Sequence, residues 1–104
     1  MDLSEVQLKA ELVRAQQARE LLEHELMREA FTTLRERIIS EWEASPSRDT
    51  SGRETLWLTL RILASVEGHL KGVMETGKLA SVKLEQNRTL MQKAKEVVGW
   101  AWQS

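Results

Sequence analysis

Trp42-Glu43-Ala44-Ser45-Pro46-Ser47-Arg48-Asp49-Thr50-Ser51-Gly52-Arg53-Glu54-Thr55-Leu56-Trp57 is the stretch that decides how this chain folds. It contains the only proline, Pro46, and the one cluster of turn formers, Ser45 to Gly52. Proline drives its predecessor into extended backbone and cannot continue a helix, so a single break over 45–52 separates two long segments.

Upstream of the break, Leu8, Leu12, Ala15, Leu22, Leu26, Ala30, Leu34, Ile38 and Trp42 recur mostly at threes and fours. Met27, Phe31 and Ile39 widen that stripe, which is the signature of an amphipathic helix with a broad apolar face. Ser4 with Gln7 has the spacing of a capping box, so helix 1 is expected over about 4–44.

Downstream, Ser51 and Glu54 repeat the capping-box spacing, and helix 2 is expected over about 53–99. A seven-residue repeat runs from Leu56 through Leu63, Leu70, Gly77, Leu84, Met91 and Val98, with Thr59, Val66, Val73, Ala80, Asn87, Ala94 and Ala101 in the second seam position. The seam is strong up to Val73 and small-sided beyond it. The helix-packing candidates are Leu56, Leu60, Leu63, Val66, Gly68, Leu70, Gly72 and Val73. Gly68 and Gly72, four apart on one face, suit either close approach of another helix or a tolerated place on the open surface. Gly77 suits either that or a helix end, which would leave a separate C-terminal helix.

Residues 55–99 as one helix would be roughly 68 Å long at about 1.5 Å per residue, and only a similar helix can cover such a length. The expected architecture is therefore all-α: a single domain over 1–104 built as a long antiparallel helical hairpin. Trp57, Leu58, Leu60 and Ile62 make the apolar surface of helix 2 wider than a two-helix seam, and the excess points to a homo-oligomer. A hairpin of 104 residues also buries only a modest share of its apolar surface when alone.

Composition narrows the function. With 41% hydrophobic and 30% charged residues and a net charge of -1, the chain reads as a soluble protein with no bulk attraction to polyanions. It has no cysteine, hence no disulfide framework, thiolate metal site or thiol nucleophile. The start, Met1-Asp2-Leu3-Ser4-Glu5, lacks the basic and apolar regions of an export signal, and Leu56 to Val66, the longest apolar stretch, is too short and interrupted to span a bilayer. Neither secretion by a signal peptide nor a membrane partner is expected.

His24 stands near Glu20, Glu23 and Glu25, and His69 follows Glu67, but neither histidine has the Glu-x-x-His spacing that puts two ligands on one face. No phosphate-binding glycine loop, nucleophile elbow or acid–base constellation is present. The expectation is a non-enzyme with no cofactor and no metal.

Two regions are candidates for binding a partner. One is the turn with Trp42, Arg48, Asp49, Arg53 and Trp57, which reads first as a capped, ion-paired hairpin tip with tryptophan packing beneath it and alternatively as a partner-binding tip, since Trp and Arg are the commonest interface anchors. The other is the C-terminal arm, with Lys93, Lys95, Val98, Trp100 and Trp102. Residues 1–43 hold ten acids and six bases, whereas residues 56–104 hold four acids and seven bases, a complementarity that lets the two arms attract one another if they lie side by side. The alternative function is a small nucleic-acid-binding regulator, since lysines neutralise phosphate and tryptophans stack on bases. Lys78, Lys83, Arg88, Lys93 and Lys95, however, spread around the helix instead of forming a stripe.

The turn, taken with Leu58-Thr59-Leu60-Arg61, Gly68-His69-Leu70 and Glu75-Thr76-Gly77-Lys78-Leu79-Ala80, resembles small helical proteins encoded among tailed-phage head and packaging genes. The resemblance covers about 31–80 and extends to small terminase subunits, although this chain has no separate N-terminal helix-turn-helix domain. It implies an oligomeric structural or DNA-packaging component of a phage particle. The implied partners are itself and another phage structural or packaging protein, in the host cytoplasm or the virion.

Overall fold

The computed structural model describes the backbone of residues 3–103 and the side chains of residues 5–99. The chain is all-α, with α1 over Leu3–Glu23, α2 over Glu25–Ala44 and α3 over Thr50–Gln103, and no strand among the described residues. Contacts group these helices into two compact units, one made of Gln17–Gly72 and the other of the described residues up to Gln16 and from Val73 onward.

In the 17–72 unit, the helix expected over 4–44 is interrupted at His24. Its φ of -64° and ψ of 126° leave the helical region, and its Nδ1 accepts the Leu26 amide at 3.2 Å, capping α2. No glycine or proline lies nearby; the cause is one of phase. Ala18 is buried and Leu22 half-buried, whereas the half-buried positions of α2 are Met27, Phe31, Arg35 and Ile38. In an unbroken helix Met27 would sit about 140° around from Leu22 at 3.6 residues per turn, so the interruption realigns two apolar faces. Leu26, Ala30 and Leu34, which continue the spacing of Leu22, are exposed, and the supposed flank residues Met27 and Phe31 take the inner positions instead.

The turn between α2 and α3 occupies 45–49, shorter than the expected 45–52. Ser45 is extended, at φ -71° and ψ 141°, as a residue before proline must be. Asp49, not Ser51, is the N-cap of α3: its Oδ1 accepts the Gly52 amide at 3.1 Å, which satisfies a donor that the first turn leaves free. Ser51 lies inside the first turn, where its carbonyl accepts the Thr55 hydroxyl at 3.0 Å. The inner face of this part of α3 carries Leu56, Leu60, Leu63, Glu67 and Leu70, all half-buried. Leu60 and Glu67 thus occupy the flank that the heptad reading gave to Thr59 and Val66, both exposed. Arg35 of α2 donates to Glu67 Oε2 at 2.9 Å, and Lys71 to Oε1 at 3.1 Å.

In the other unit, Gly77 is buried against α1. A Cβ at this position would collide with the Cβ of Ala15 and stand 3.5 Å from the Glu11 carbonyl oxygen. Ala15 and Ala80 are buried beside half-buried Leu8, Leu12, Val73, Met74 and Leu84, so this interface rests on small residues at close range. Gly77 therefore serves close approach and does not end the helix: α3 runs on to Gln103, leaving no separate C-terminal helix. At Gly68 and Gly72, by contrast, a Cβ would meet nothing within 4 Å. Every described side chain from Glu85 to Gly99 is exposed.

Ser4 lies within α1, which starts at Leu3, and its side chain is outside the described residues. No helix among the described residues is long and apolar enough to cross a membrane.

Candidate partner-binding surface

The turn holds its own ends together. The last carbonyls of a helix lack intrahelical donors, and the Trp42 carbonyl accepts from the Ser45 amide at 3.2 Å and the Ser45 hydroxyl at 2.6 Å. Arg53, one turn into α3, adds Nη1 contacts to the Trp42 carbonyl at 3.1 Å, the Ser45 carbonyl at 3.2 Å and Ser45 Oγ at 2.8 Å. Its guanidinium also lies over the Trp42 ring, with Cζ 3.9 Å from the centroid, a cation–π contact that covers one face of the indole. Two of the sequence candidates, Asp49 and Arg53, are thereby engaged in closing the turn.

The remaining turn candidates face outward. Arg48 is exposed, Trp42 keeps 42% of its surface open and Trp57 keeps 53%. Above Trp57, Arg61 Cζ stands 5.5 Å from the ring centroid, loosely enough to leave the indole accessible. Leu58, Ile62 and Val66, four residues apart and so on one stripe of α3, are likewise exposed. Leu58 and Ile62 are the surplus width expected from the sequence, whereas Val66 is expected in the seam and stands outside it.

In the C-terminal arm, Lys93 and Lys95 are exposed, and Val98 is 55% exposed. The side chains of Trp100 and Trp102 lie outside the described residues. Reasoning from the heptad missed a further feature of this arm: Leu79, Val82, Leu90 and Val97 are all exposed on α3. Their spacing of three, eight and seven residues is legible as a second apolar stripe, but the Leu84–Met91–Val98 seam masks it.

Electrostatics single out one group. The Lys71 ammonium, hydrogen-bonded to Glu67, and then the Arg35 guanidinium hold the Glu67 carboxyl below its ordinary value of 4.5, against a partial burial that works the other way. The acidic surface at the α1–α2 junction, with Glu23, Glu25 and Glu29, is interleaved with Arg28. Among the described residues no group of three or more His, Asp or Glu side chains could hold a metal ion. Set against protein-family models, curated proteins and solved structures, the chain matches none of them.

Proposed function

We infer that the chain is a non-enzymatic structural component that self-associates and acts through protein–protein contacts. The observation that carries this reading is where the apolar side chains lie. Among the described residues the buried apolar side chains are Ala15, Ala18 and Ala80, while Trp57, Leu58, Ile62, Val66, Leu79 and Leu90 are exposed. Hydrophobic stabilisation scales with the apolar area removed from water, at roughly 25 cal/mol per Å2, and a fold with so small an interior leaves most of that term to a partner. A long antiparallel hairpin assembling into a homo-oligomer accounts for the surplus. The resemblance to small proteins of tailed-phage head and packaging genes supports a place in a phage particle.

Sedimentation of the purified chain over a wide concentration range tests self-association; a monomer throughout contradicts it. Mixing with capsid or portal protein and with nonspecific DNA tests the role. Co-assembly with the protein and indifference to DNA are expected. A salt-dependent retardation of DNA without protein co-assembly would replace the structural reading with that of a nucleic-acid-binding regulator.

A further inference from the structure

The C-terminal part of α3 has a second face. Glu75, Leu79, Val82, Gln86, Leu90, Lys93 and Val97 follow one another at intervals of four, three, four, four, three and four residues. Such intervals make a helical stripe, roughly 33 Å long at about 1.5 Å per residue. Leu79, Val82 and Gln86 each lie two residues beyond Gly77, Ala80 and Leu84. Two residues are about 200° around a helix, so the stripe points away from the side that meets α1. All seven are exposed, Leu79 at 71% and Leu90 at 65%.

The intervals read the same from either end, with Gln86 at the centre. We propose that a second copy of this chain docks antiparallel on this stripe, with a two-fold axis passing by Gln86. In that register Val82 meets Leu90 of the other copy, and the two Gln86 amides, each with donors and an acceptor, face one another. Lys93 lies opposite Leu79, so that its aliphatic stem covers the leucine while its ammonium reaches Glu75 one turn away. Glu75 already accepts from Lys78 at 3.0 Å and, two-thirds exposed, has a carboxylate open to a second cation. A parallel pairing of the same stripe would set Glu75 against Glu75 and Lys93 against Lys93. The charges at its two ends are complementary only when the copies run in opposite directions, which is what commits the face to a second copy in this orientation.

The proposal rests on the self-association inferred above and adds to it a surface, a direction and a centre. Because the chain has no cysteine, single cysteines report on it cleanly. Under mild oxidation Gln86→Cys is expected to cross-link to itself. Leu79→Cys and Lys93→Cys are expected to cross-link when mixed but not separately. Gln86→Lys, which places two ammonium groups at the axis, is expected to weaken association by roughly tenfold or more with helicity unchanged, since residue 86 is exposed in the single chain, while Gln86→Leu preserves association. Self-linking of Leu79→Cys would overturn the antiparallel direction. An oligomer in which Gln86→Cys does not cross-link and Gln86→Lys has no effect would overturn this surface and leave self-association standing. A monomer at all concentrations would overturn both.

Discussion

Gly77 stands where the backbone of α3 comes closest to α1, and its missing Cβ is what permits the contact with Ala15. Alanine at this position gains about 1 kcal/mol of helix propensity, but the collision is with a Cβ that cannot swing aside, so the helices must separate at a cost of about 1–3 kcal/mol. Gly77→Ala should therefore be destabilising in a denaturant titration, whereas Gly68→Ala and Gly72→Ala, facing open space, should each stabilise by about 1 kcal/mol. Trp57 offers a similar contrast. A fully buried aromatic ring costs about 3–5 kcal/mol on truncation, but this one is half-exposed, and Trp57→Ala should lose only about 1–2 kcal/mol in the same titration. Glu67 titrates below its ordinary value because Lys71 and Arg35 favour its ionised form. Its contribution is fully present above the unfolded value, fades as the pH drops below about 4.5, and is lost once the pH falls through the lowered folded value. Melting curves at pH 6 and pH 3 should show a larger drop for the native chain than for Glu67→Gln.

At the scale of the element, the turn was legible because Pro46 admits few readings, and the helices because the apolar residues recur so regularly. The N-cap of α3 was not. Asp49 and Ser51 both offer an oxygen near the helix start, and the choice falls to Asp49, whose carboxylate reaches the amide of Gly52 three residues on. A Cβ on Gly52 would collide with that carboxylate, so the cap and the glycine form one device. Asp49→Ala should cost about 0.5–2 kcal/mol, Gly52→Ala should cost less because the lost cap is partly offset by alanine's helix propensity, and the double variant should lose less than the sum of the two, as a double-mutant cycle by thermal melting would show. The interruption at His24 left one trace in the sequence, the five-residue step from Leu22 to Met27. Without a glycine or proline beside it, that step reads as a widening of the stripe, and only the burial of Met27 and Phe31 reveals the change of phase. Within the turn, the residue types alone could not separate Asp49 and Arg53, which close it, from Arg48 and Trp57, which face solvent.

At the scale of the molecule, the buried apolar side chains among the described residues are alanines alone, Ala18 in the 17–72 unit and Ala15 and Ala80 in the other, which leaves each unit little interior of its own. If copies of the chain cover one another's apolar stripes, unfolding is linked to dissociation and the melting temperature should rise with protein concentration. Circular dichroism melts over a thousandfold concentration range would show this, and a constant melting temperature would locate the stability within the single chain.

The interruption at His24 also bears on how the length of the chain can vary. Adding one residue within a continuous helix turns everything beyond it by about 100°, so an insertion between Phe31 and Ile38, or between Leu56 and Leu70, would carry an inner side chain out to the surface. At His24 the backbone has already left the helix, and α2 starts afresh under its own cap with its phase independent of what precedes it. One extra residue there is absorbed as slack. An extra residue should therefore be tolerated better at that joint than within α2, within α3 up to Gly72, or in the 45–49 turn, whose Ser45, Asp49 and Arg53 contacts depend on their spacing.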